Sequence, residues 1–169
     1  MKQILIVIAA SALIFTACKS DTGKVDAKPA TASEFYEKVA ELEETMSEPL
    51  LTTEAEIKAR GDKQNFEGIV KSAKKMEDTV DVRINAIKNM PPVGHGGEDF
   101  KTMAVRYFEF IKSIYTGYRK IGEATTEEDR VKAADEMATI INNQQAVLDN
   151  LHTQQERYAA NNHFVIDGK

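Results

Sequence analysis

The stretch from Phe100 to Ile121, FKTMAVRYFEFIKSIYTGYRKI, decides the fold class of this 169-residue chain. Its apolar and aromatic residues recur every three or four positions, which is the spacing of one face of an α-helix. These residues are Phe100, Met103, Tyr107, Phe108, Ile111, Ile114, Tyr115, Tyr118 and Ile121. We therefore predict a helix from Glu98 to about Glu123, and we expect it to be the most buried helix of the protein.

A segment of the same periodicity covers residues 33 to about 60, and Thr31 with Glu34 offers a capping box at its start. Pro49 interrupts the pattern, so this helix is expected either to kink or to split. If it splits, Thr52 or Thr53 is expected to start the second piece.

Two more segments complete the pattern, one from Asp62 to about Met90 and one from Thr126 to about Asn162. Pro91-Pro92 stops the first of them, and a flexible turn is expected over residues 91–97. The last segment has its predicted apolar stripe at Val131, Ala134, Ala138, Ile141, Leu148 and Leu151. Four amphipathic segments with short connections predict an all-α domain over residues 33–169, folded as an up-down-up-down four-helix bundle.

The overall composition agrees with a helical domain and argues against nucleic acid as a partner. The chain has only 9 Gly and 4 Pro, no Trp, 42% apolar and 29% charged residues, and a net charge of −5. Phosphate binding requires clustered Lys and Arg, and no basic run occurs here. The pair Lys74-Lys75 shares its predicted helix with Glu77 and Asp78, which indicates a solvated face.

The first 17 residues are typical of a bacterial signal peptide. Lys2 precedes a run of about twelve apolar or small residues, from Ile4 to Phe15. As a helix this run would be about 18 Å long, which is too short for a hydrocarbon core of about 30 Å. A cleaved export signal is therefore expected over residues 1–17.

The sequence Phe15-Thr16-Ala17-Cys18 resembles the lipobox of bacterial lipoproteins, and Cys18 is the only cysteine of the chain. The resemblance implies a diacylglycerol thioether on Cys18, cleavage between Ala17 and Cys18, and acylation of the new amino group. The alternative is an ordinary secretory signal with a chance cysteine at its end.

The residues that follow Cys18 indicate where the protein goes and how it is held. Lys19, in the place where Asp would indicate retention in the inner membrane, favours a lipid-anchored outer-membrane location, on the periplasmic face or at the cell surface. Residues 18–32 have almost no apolar mass and contain Gly23 and Pro29, so they are expected to form a disordered tether.

Polar residues on the predicted helix stripes are the candidates for a binding pocket. In the fourth segment Gln145, His152 and Gln155 continue the apolar spacing, and the third segment offers three tyrosines, Tyr107, Tyr115 and Tyr118. One interpretation is a hydrogen-bond network that sets helix register. The other is a partly polar pocket between helices.

The remaining motifs do not indicate catalysis. The three histidines, His95, His152 and His163, form no His-Glu-x-x-His or Glu-x-x-His pair. Acidic pairs such as Glu43-Glu44 are expected on helix surfaces. We therefore expect no enzyme activity, no metal and no cofactor, with haem held between a Met and His152 as an alternative.

Three motifs resemble a family of small leptospiral-type surface lipoproteins, which also occur in Bacteroidota and have no established biochemical function. The motifs are Phe35-Tyr36, the run from Asp99-Phe100-Lys101 to Tyr107-Phe108-Glu109-Phe110, and the end Tyr158-Ala159-Ala160-Asn161-Asn162-His163-Phe164. His163 stands where that family has Gly, so the left-handed turn is expected to shift onto Asn162. The resemblance implies a helical bundle and no reaction.

Two functions are expected from these observations. The first is a non-catalytic envelope lipoprotein whose bundle binds a protein or a glycan, or has a structural role. The second is a periplasmic bundle that binds a small ligand, a metal or haem.

Overall fold

The computed structural model describes residues 28–166, and in that range the protein is all-α, as predicted. The predicted signal peptide, Cys18 and the predicted tether as far as Ala27 lie outside the described residues. Residues 28–166 contain no β-strand, and none of their helices is long and apolar enough to cross a membrane. The helices are α1 (Ala32–Glu44), α2 (Ser47–Gly61), α3 (Phe66–Asn89), α4 (Gly97–Glu123), α5 (Glu127–Asn142) and α6 (Gln144–Asn161).

Helix α4 makes the most extensive helix–helix contacts, since it packs against α3, α5 and α6. Its bounds agree with the predicted 98–123 to within one residue. Helix α3 in turn packs against α2. Most predicted stripe residues of α3 and α4 are buried, including Val80, Ile87, Phe100, Phe108 and Tyr115. The periodicity of these two helices therefore identified the main core correctly.

The first predicted segment is split, and the break lies earlier than expected. Helix α1 ends at Glu44, and α2 begins at Ser47, so the prediction that Thr52 or Thr53 starts the second piece is wrong. Pro49 lies in the first turn of α2. A proline is tolerated there because its missing N–H would have no partner inside the helix.

The fourth predicted segment is also split, at Asn143, whereas its spacing predicts one continuous helix. The Asn143 N–H donates to the carbonyls of Ile140 and Ile141, and its side-chain amide donates to Thr139 O at 3.1 Å. A side chain that takes a backbone carbonyl of its own helix competes with regular helical bonding. The chain therefore turns at Asn143 and continues as α6, and both halves pack against α4.

The apolar stripe predicted for the last segment is out of phase over α5. Val131 is 53% exposed and Ala138 is exposed, whereas Ala133 and Met137 are buried. Gly117 of α4 allows this close packing, because a Cβ at that position would lie 2.9 Å from Met137 Cγ. Tertiary contact with α4 thus selected the face of α5 that is buried.

The last residues of the predicted tether are ordered against the domain. Pro29 is buried, and the Ala30 N–H donates to the Glu34 carboxylate at 2.7 Å. Thr31 forms the predicted capping box with Glu34, and Ala32 already belongs to α1. The prediction of a disordered tether as far as Ala32 is therefore wrong from Pro29 onward.

Five aromatic rings close the end of the domain where α1 begins. Phe100 at the start of α4 stacks on Tyr158 of α6, with ring centroids 4.8 Å apart. Phe35 and Tyr36 of α1 each lie 5.8 Å from Phe100, and Phe164 after α6 lies 5.6 Å from Tyr36. We call this set the aromatic end. Each such pair contributes about 0.5–1.5 kcal/mol beyond the burial of apolar area.

Asn162 attaches the 91–97 loop to the aromatic end. The His95 N–H donates to Asn162 Oδ1 at 2.9 Å, and Asn162 Nδ2 donates to His95 O at 2.9 Å and to Tyr158 O at 2.8 Å. Gly94 has φ +76, and a Cβ there would lie 2.2 Å from Asn162 Oδ1. The prediction of a flexible turn is therefore wrong, because the loop is held by side-chain bonds to its backbone.

The left-handed residue after α6 is His163 itself, with φ +57, whereas Asn162 has φ −115. The expected shift of the turn onto Asn162 is wrong. The N–H groups of His163 and Phe164 bond to Ala160 O and Ala159 O, which is a Schellman motif. The left-handed conformation costs a residue with a Cβ about 1–2 kcal/mol.

We predict that Asn162→Ala lowers the free energy of unfolding by about 2–3 kcal/mol, because three hydrogen bonds are lost at about 1 kcal/mol each. Urea unfolding followed by circular dichroism measures this loss. The matched control is Asn161→Ala, which removes the same side chain from an exposed neighbouring position. Equal stability of the two variants would contradict a role of Asn162 in holding the loop.

We further predict that His163→Gly raises the free energy of unfolding by about 1 kcal/mol, since glycine adopts a positive φ without strain. This gain corresponds to a rise of about 2–4 °C in the melting temperature. The control His163→Ala keeps a Cβ in the left-handed conformation and is expected to show no gain. A stabilisation shared by both variants would refute the explanation by backbone strain.

Candidate functional site

The predicted tyrosines of α4 face carboxylates of the first two helices. Tyr118 Oη donates to Glu54 Oε2 of α2 at 2.9 Å, and Tyr115 lies beside Tyr118 with ring centroids 6.0 Å apart. Burial raises the pKa of Glu54, while the Tyr118 and Tyr115 hydroxyls act in the opposite direction and lower it. Burial and the nearby Glu54 charge raise the pKa of both tyrosines, so they remain protonated donors.

One oxygen of the Glu54 carboxyl has no partner within the described part of the chain. Glu54 Oε1 is shielded from solvent and accepts no hydrogen bond of good geometry there, although the Tyr115 hydroxyl lies close enough to the carboxyl to lower its pKa as a hydrogen-bond donor. A buried acceptor without a hydrogen bond costs about 1–3 kcal/mol, and more when it is charged. Helix α2 therefore carries a carboxyl whose charged form is poorly stabilised.

A second carboxyl–tyrosine pair lies nearer the aromatic end. Burial raises the pKa of Glu43 of α1, while Tyr107 of α4 partly offsets this by lowering it. Burial, followed by the Glu43 charge, raises the pKa of Tyr107 and raises that of Tyr36 to about 12. We call Glu43 with Tyr107, and Glu54 with Tyr115 and Tyr118, the acid–tyrosine pairs.

Glu44 is exposed as predicted, but Glu43 is half-buried, so the prediction that acidic pairs lie on helix surfaces holds only in part. The sequence contained the signal. Tyr36, Val39, Glu43 and Met46 follow one another at spacings of 3, 4 and 3, which continues the buried stripe. Glu54 likewise lies between Leu50 and Ile57, at spacings of 4 and 3. An acidic residue in phase with an apolar stripe is therefore a sign of a buried carboxyl.

Glu77 of α3 shows the same pattern and corrects the prediction of a solvated face around Lys74-Lys75. It is only 8% exposed, and it accepts hydrogen bonds from the Thr116 hydroxyl and from Arg119 Nε, the latter at 2.9 Å. Arg119 also bonds to Glu123 at 2.9 Å, and Lys74 lies 3.4 Å from Glu123. This paired network connects α3 to α4 and leaves Glu77 compensated, in contrast to Glu54.

Gln145 and His152 are not joined to the tyrosines, so the predicted inter-helix pocket is not formed. Gln145 is exposed, and its Nε2 donates to Asp149 Oδ1 of the same helix at 2.7 Å. His152 is half-buried on α6, whereas the tyrosine hydroxyls are directed at α1 and α2. The break at Asn143 changed the phase of the stripe, so that Gln155 is buried and Gln145 is not.

An open surface depression of about 370 Å³ lies over the turn between α4 and α5, away from the acid–tyrosine pairs. Its charged side chains include both signs, and Lys120 Nζ lies 3.1 Å from Glu136 Oε2. It is lined by Lys120, Glu123, Ala124, Thr125, Asp129, Lys132, Ala133 and Glu136. The depression therefore presents charges of both signs, and Lys120 and Glu136 pair with each other across it.

We next consider whether the described side chains could hold a metal ion. Within residues 28–166, no group of three or more His, Cys, Asp or Glu side chains is arranged to hold a metal ion. The acid–tyrosine pairs offer one carboxyl each, held by phenolic hydroxyls. These hydrogen bonds attach α1 and α2 to α4. Cys18 and Ala17, the predicted lipidation and cleavage residues, lie outside the described range.

The chain matches no protein-family model, no curated protein and no solved structure. The resemblance to leptospiral-type lipoproteins therefore stays a prediction that rests on the motifs themselves. The function has to be inferred from the residues and their geometry.

We predict that Glu54→Gln reduces the loss of stability that accompanies a rise in pH. The folded-state pKa of Glu54 is raised above the usual 4.5, so the folded protein holds this proton more tightly than the unfolded chain does. The contribution of Glu54 is therefore fully present below about pH 4.5 and is lost as pH rises through the folded-state pKa. Urea unfolding measured at intervals between about pH 4 and about pH 7 gives the slope of stability against pH.

Glu56→Gln serves as a control of opposite sign on the same helix. The Ser72 hydroxyl, which donates to Glu56 Oε2 at 2.7 Å, lowers the pKa of this exposed carboxyl. Its contribution is therefore present above about pH 4.5 and is lost on acidification, so this variant changes the acid side of the profile. An unchanged slope above pH 4.5 in Glu54→Gln would show that the Glu54 carboxyl is not desolvated.

Proposed function

We propose that this chain is a bacterial outer-membrane lipoprotein, anchored by lipid on Cys18, whose helical domain is non-catalytic and binds another envelope component or has a structural role. The observation that carries the proposal is the position of the only cysteine. Cys18 directly follows Phe15-Thr16-Ala17 at the end of a short apolar run. One acyl chain binds a membrane only marginally, whereas two or three make the attachment effectively permanent.

The proposal includes the arrangement of the domain as an up-down-up-down bundle behind a cleaved signal peptide. In this arrangement α1 with α2 and α5 with α6 each form one broken arm, and α3 and α4 are the unbroken arms. It is supported by the packing of α2 on α3, of α3 on α4, and of α4 on α5 and α6. The connections are short, as expected for antiparallel neighbours.

A binding or structural role is supported by the polar groups of the interior, which form hydrogen bonds to one another between helices. Glu77 is compensated by Thr116 and Arg119, and the tyrosines of α4 hold Glu43 and Glu54. These groups attach helices to one another. We therefore propose that recognition of a protein or a glycan takes place on the outer surface of the bundle.

The proposed anchor predicts a modified Cys18 in the protein isolated from its host. Mass spectrometry of the mature N-terminus is expected to show cleavage before Cys18 and a lipid on the sulfur, and the protein is expected to incorporate labelled palmitate. Cys18→Ser is expected to lose the label and to leave the membrane fraction, because serine has no sulfur atom with which to form the thioether to the lipid. The matched control, Ser20→Ala, is expected to retain both. An unmodified Cys18 thiol on mature, exported protein would refute the proposal.

The role of the domain is tested separately from the anchor. Crosslinking and pull-down from host membranes are expected to recover a specific envelope partner, and the reproducible absence of one would count against binding. An absorption spectrum and metal analysis of the same sample test the alternative. A haem band or stoichiometric metal would favour the small-ligand function over the proposed one.

A further inference from the structure

The aromatic end is also the end at which the chain leaves the domain toward Cys18. The Tyr158 hydroxyl donates to the carbonyl of Ala32 in the first turn of α1 and to the carbonyl of Val93 in the loop. Phe164, after α6, packs on Tyr36 of α1. Residues 28–30, the 91–97 loop and the 163–166 tail therefore meet at one end, which we call the N-terminal face.

The length of chain before this face limits which part of the domain reaches a membrane. Nine residues, 19–27, separate Cys18 from Lys28. Even fully extended they span at most about 35 Å. Helix α4 has 27 residues, so the opposite end of the domain lies about 40 Å from the N-terminal face. A domain anchored at Cys18 is thus connected to the bilayer through its N-terminal face, and its opposite end is the part farthest along the chain from the anchor.

The N-terminal face presents apolar side chains to solvent. Val165 is 85% exposed, more than Val82 at 60%, Leu51 at 60% or Val131 at 53%. Pro92 in the adjoining loop is exposed, and Ile166 is half-buried beside Val165. Burying the side chain of an exposed valine in a bilayer is favourable, at about 25 cal/mol per Å² of apolar surface removed from water.

The charges of this face argue against attraction to anionic headgroups. Glu98 and Asp99, in the first turn of α4, are exposed there, and Lys28 is the exposed cation nearest to the start of the described chain. Net negative charge repels an anionic surface, and salt screens such effects. A contact through Val165 is therefore expected to be apolar, and it is expected to persist in zwitterionic lipid and at high salt.

We infer that the N-terminal face rests on the lipid surface and that Val165 inserts into the interface between headgroups and acyl chains. This inference rests on the proposed anchor at Cys18. The lipid holds the protein at the membrane, and the 163–166 tail orients it with α4 directed away from the bilayer. The surface of α5 near the opposite end is then the part presented to a partner.

The chain contains no Trp, so a single introduced Trp reports on its own surroundings. The test uses the full lipidated protein in phosphatidylcholine vesicles and three matched variants at exposed valines, namely Val165→Trp, Val82→Trp and Val131→Trp. They probe the tail, the side of α3 and the start of α5. In Val165→Trp alone, we expect the Trp emission to shift to the blue and to be quenched by quencher-labelled lipids. Both effects are expected to persist at high salt. Circular dichroism checks that each variant is folded.

The other outcomes separate the inference from the proposed anchor. If all three variants float with the vesicles and Val165→Trp is neither shifted nor quenched, the anchor stands and the inference is wrong. Quenching in Val82→Trp would mean that the domain lies on its side on the membrane. A blue shift in Val165→Trp without quenching would mean that a second copy of the protein covers the tail. Either result contradicts the inference. If no variant floats and Cys18 is unmodified, the anchor and the inference fall together.

Discussion

The stack of Phe100 on Tyr158, with centroids 4.8 Å apart, is the contact on which one end of this protein depends. It joins the start of α4 to the end of α6, and Phe35 of α1 packs against both rings. The Tyr158 hydroxyl then bonds to two backbone carbonyls, so the same residue supplies apolar contact and orientation. Without this contact, the loop held by Asn162 would have no fixed surface to rest on.

The carboxyls on the buried stripes divide into compensated and uncompensated groups. Glu77 is matched by Arg119 and a hydroxyl, so its charge is retained in a largely buried position. Within residues 28–166, tyrosine hydroxyls are the groups that lower the pKa values of Glu43 and Glu54, whereas burial raises both. Removing a carboxylate from water costs more than a phenolic hydroxyl returns. Helices α1 and α2 are thus held to α4 by contacts whose strength depends on pH.

Each of the two breaks divides one long helical segment into two shorter helices. The shorter helices then pack beside the two long, unbroken helices. Helices α3 and α4 have 24 and 27 residues, whereas α1, α2, α5 and α6 have 13, 15, 16 and 18. A break allows each half to choose its own buried face. The change of phase at Asn143, which buries Met137 and Gln155 and exposes Gln145, is a direct result.

The sequence by itself determined the helical class, the bounds of α4, the stop at Pro91-Pro92 and the prediction of a lipid on Cys18. All of these depend on local periodicity, on proline geometry or on a short motif, which can be read without knowing any neighbour in space. The break before Ser47 was predicted too late in the chain, and the break at Asn143 was not predicted. The position at which a helix ends depends on tertiary packing as well as on local helix propensity, and the sequence shows only the propensity.

Only the tertiary structure decided the partners of the polar groups. Asn162 bonds to His95, 67 positions away, and Tyr118 bonds to Glu54, 64 positions away. The spacing within a helix predicts which face a residue occupies, but it does not predict what lies opposite that face. Glu43 and Glu54 could be recognised from their phase as buried, whereas the tyrosines that hold them could be assigned only after α1 and α2 were packed against α4.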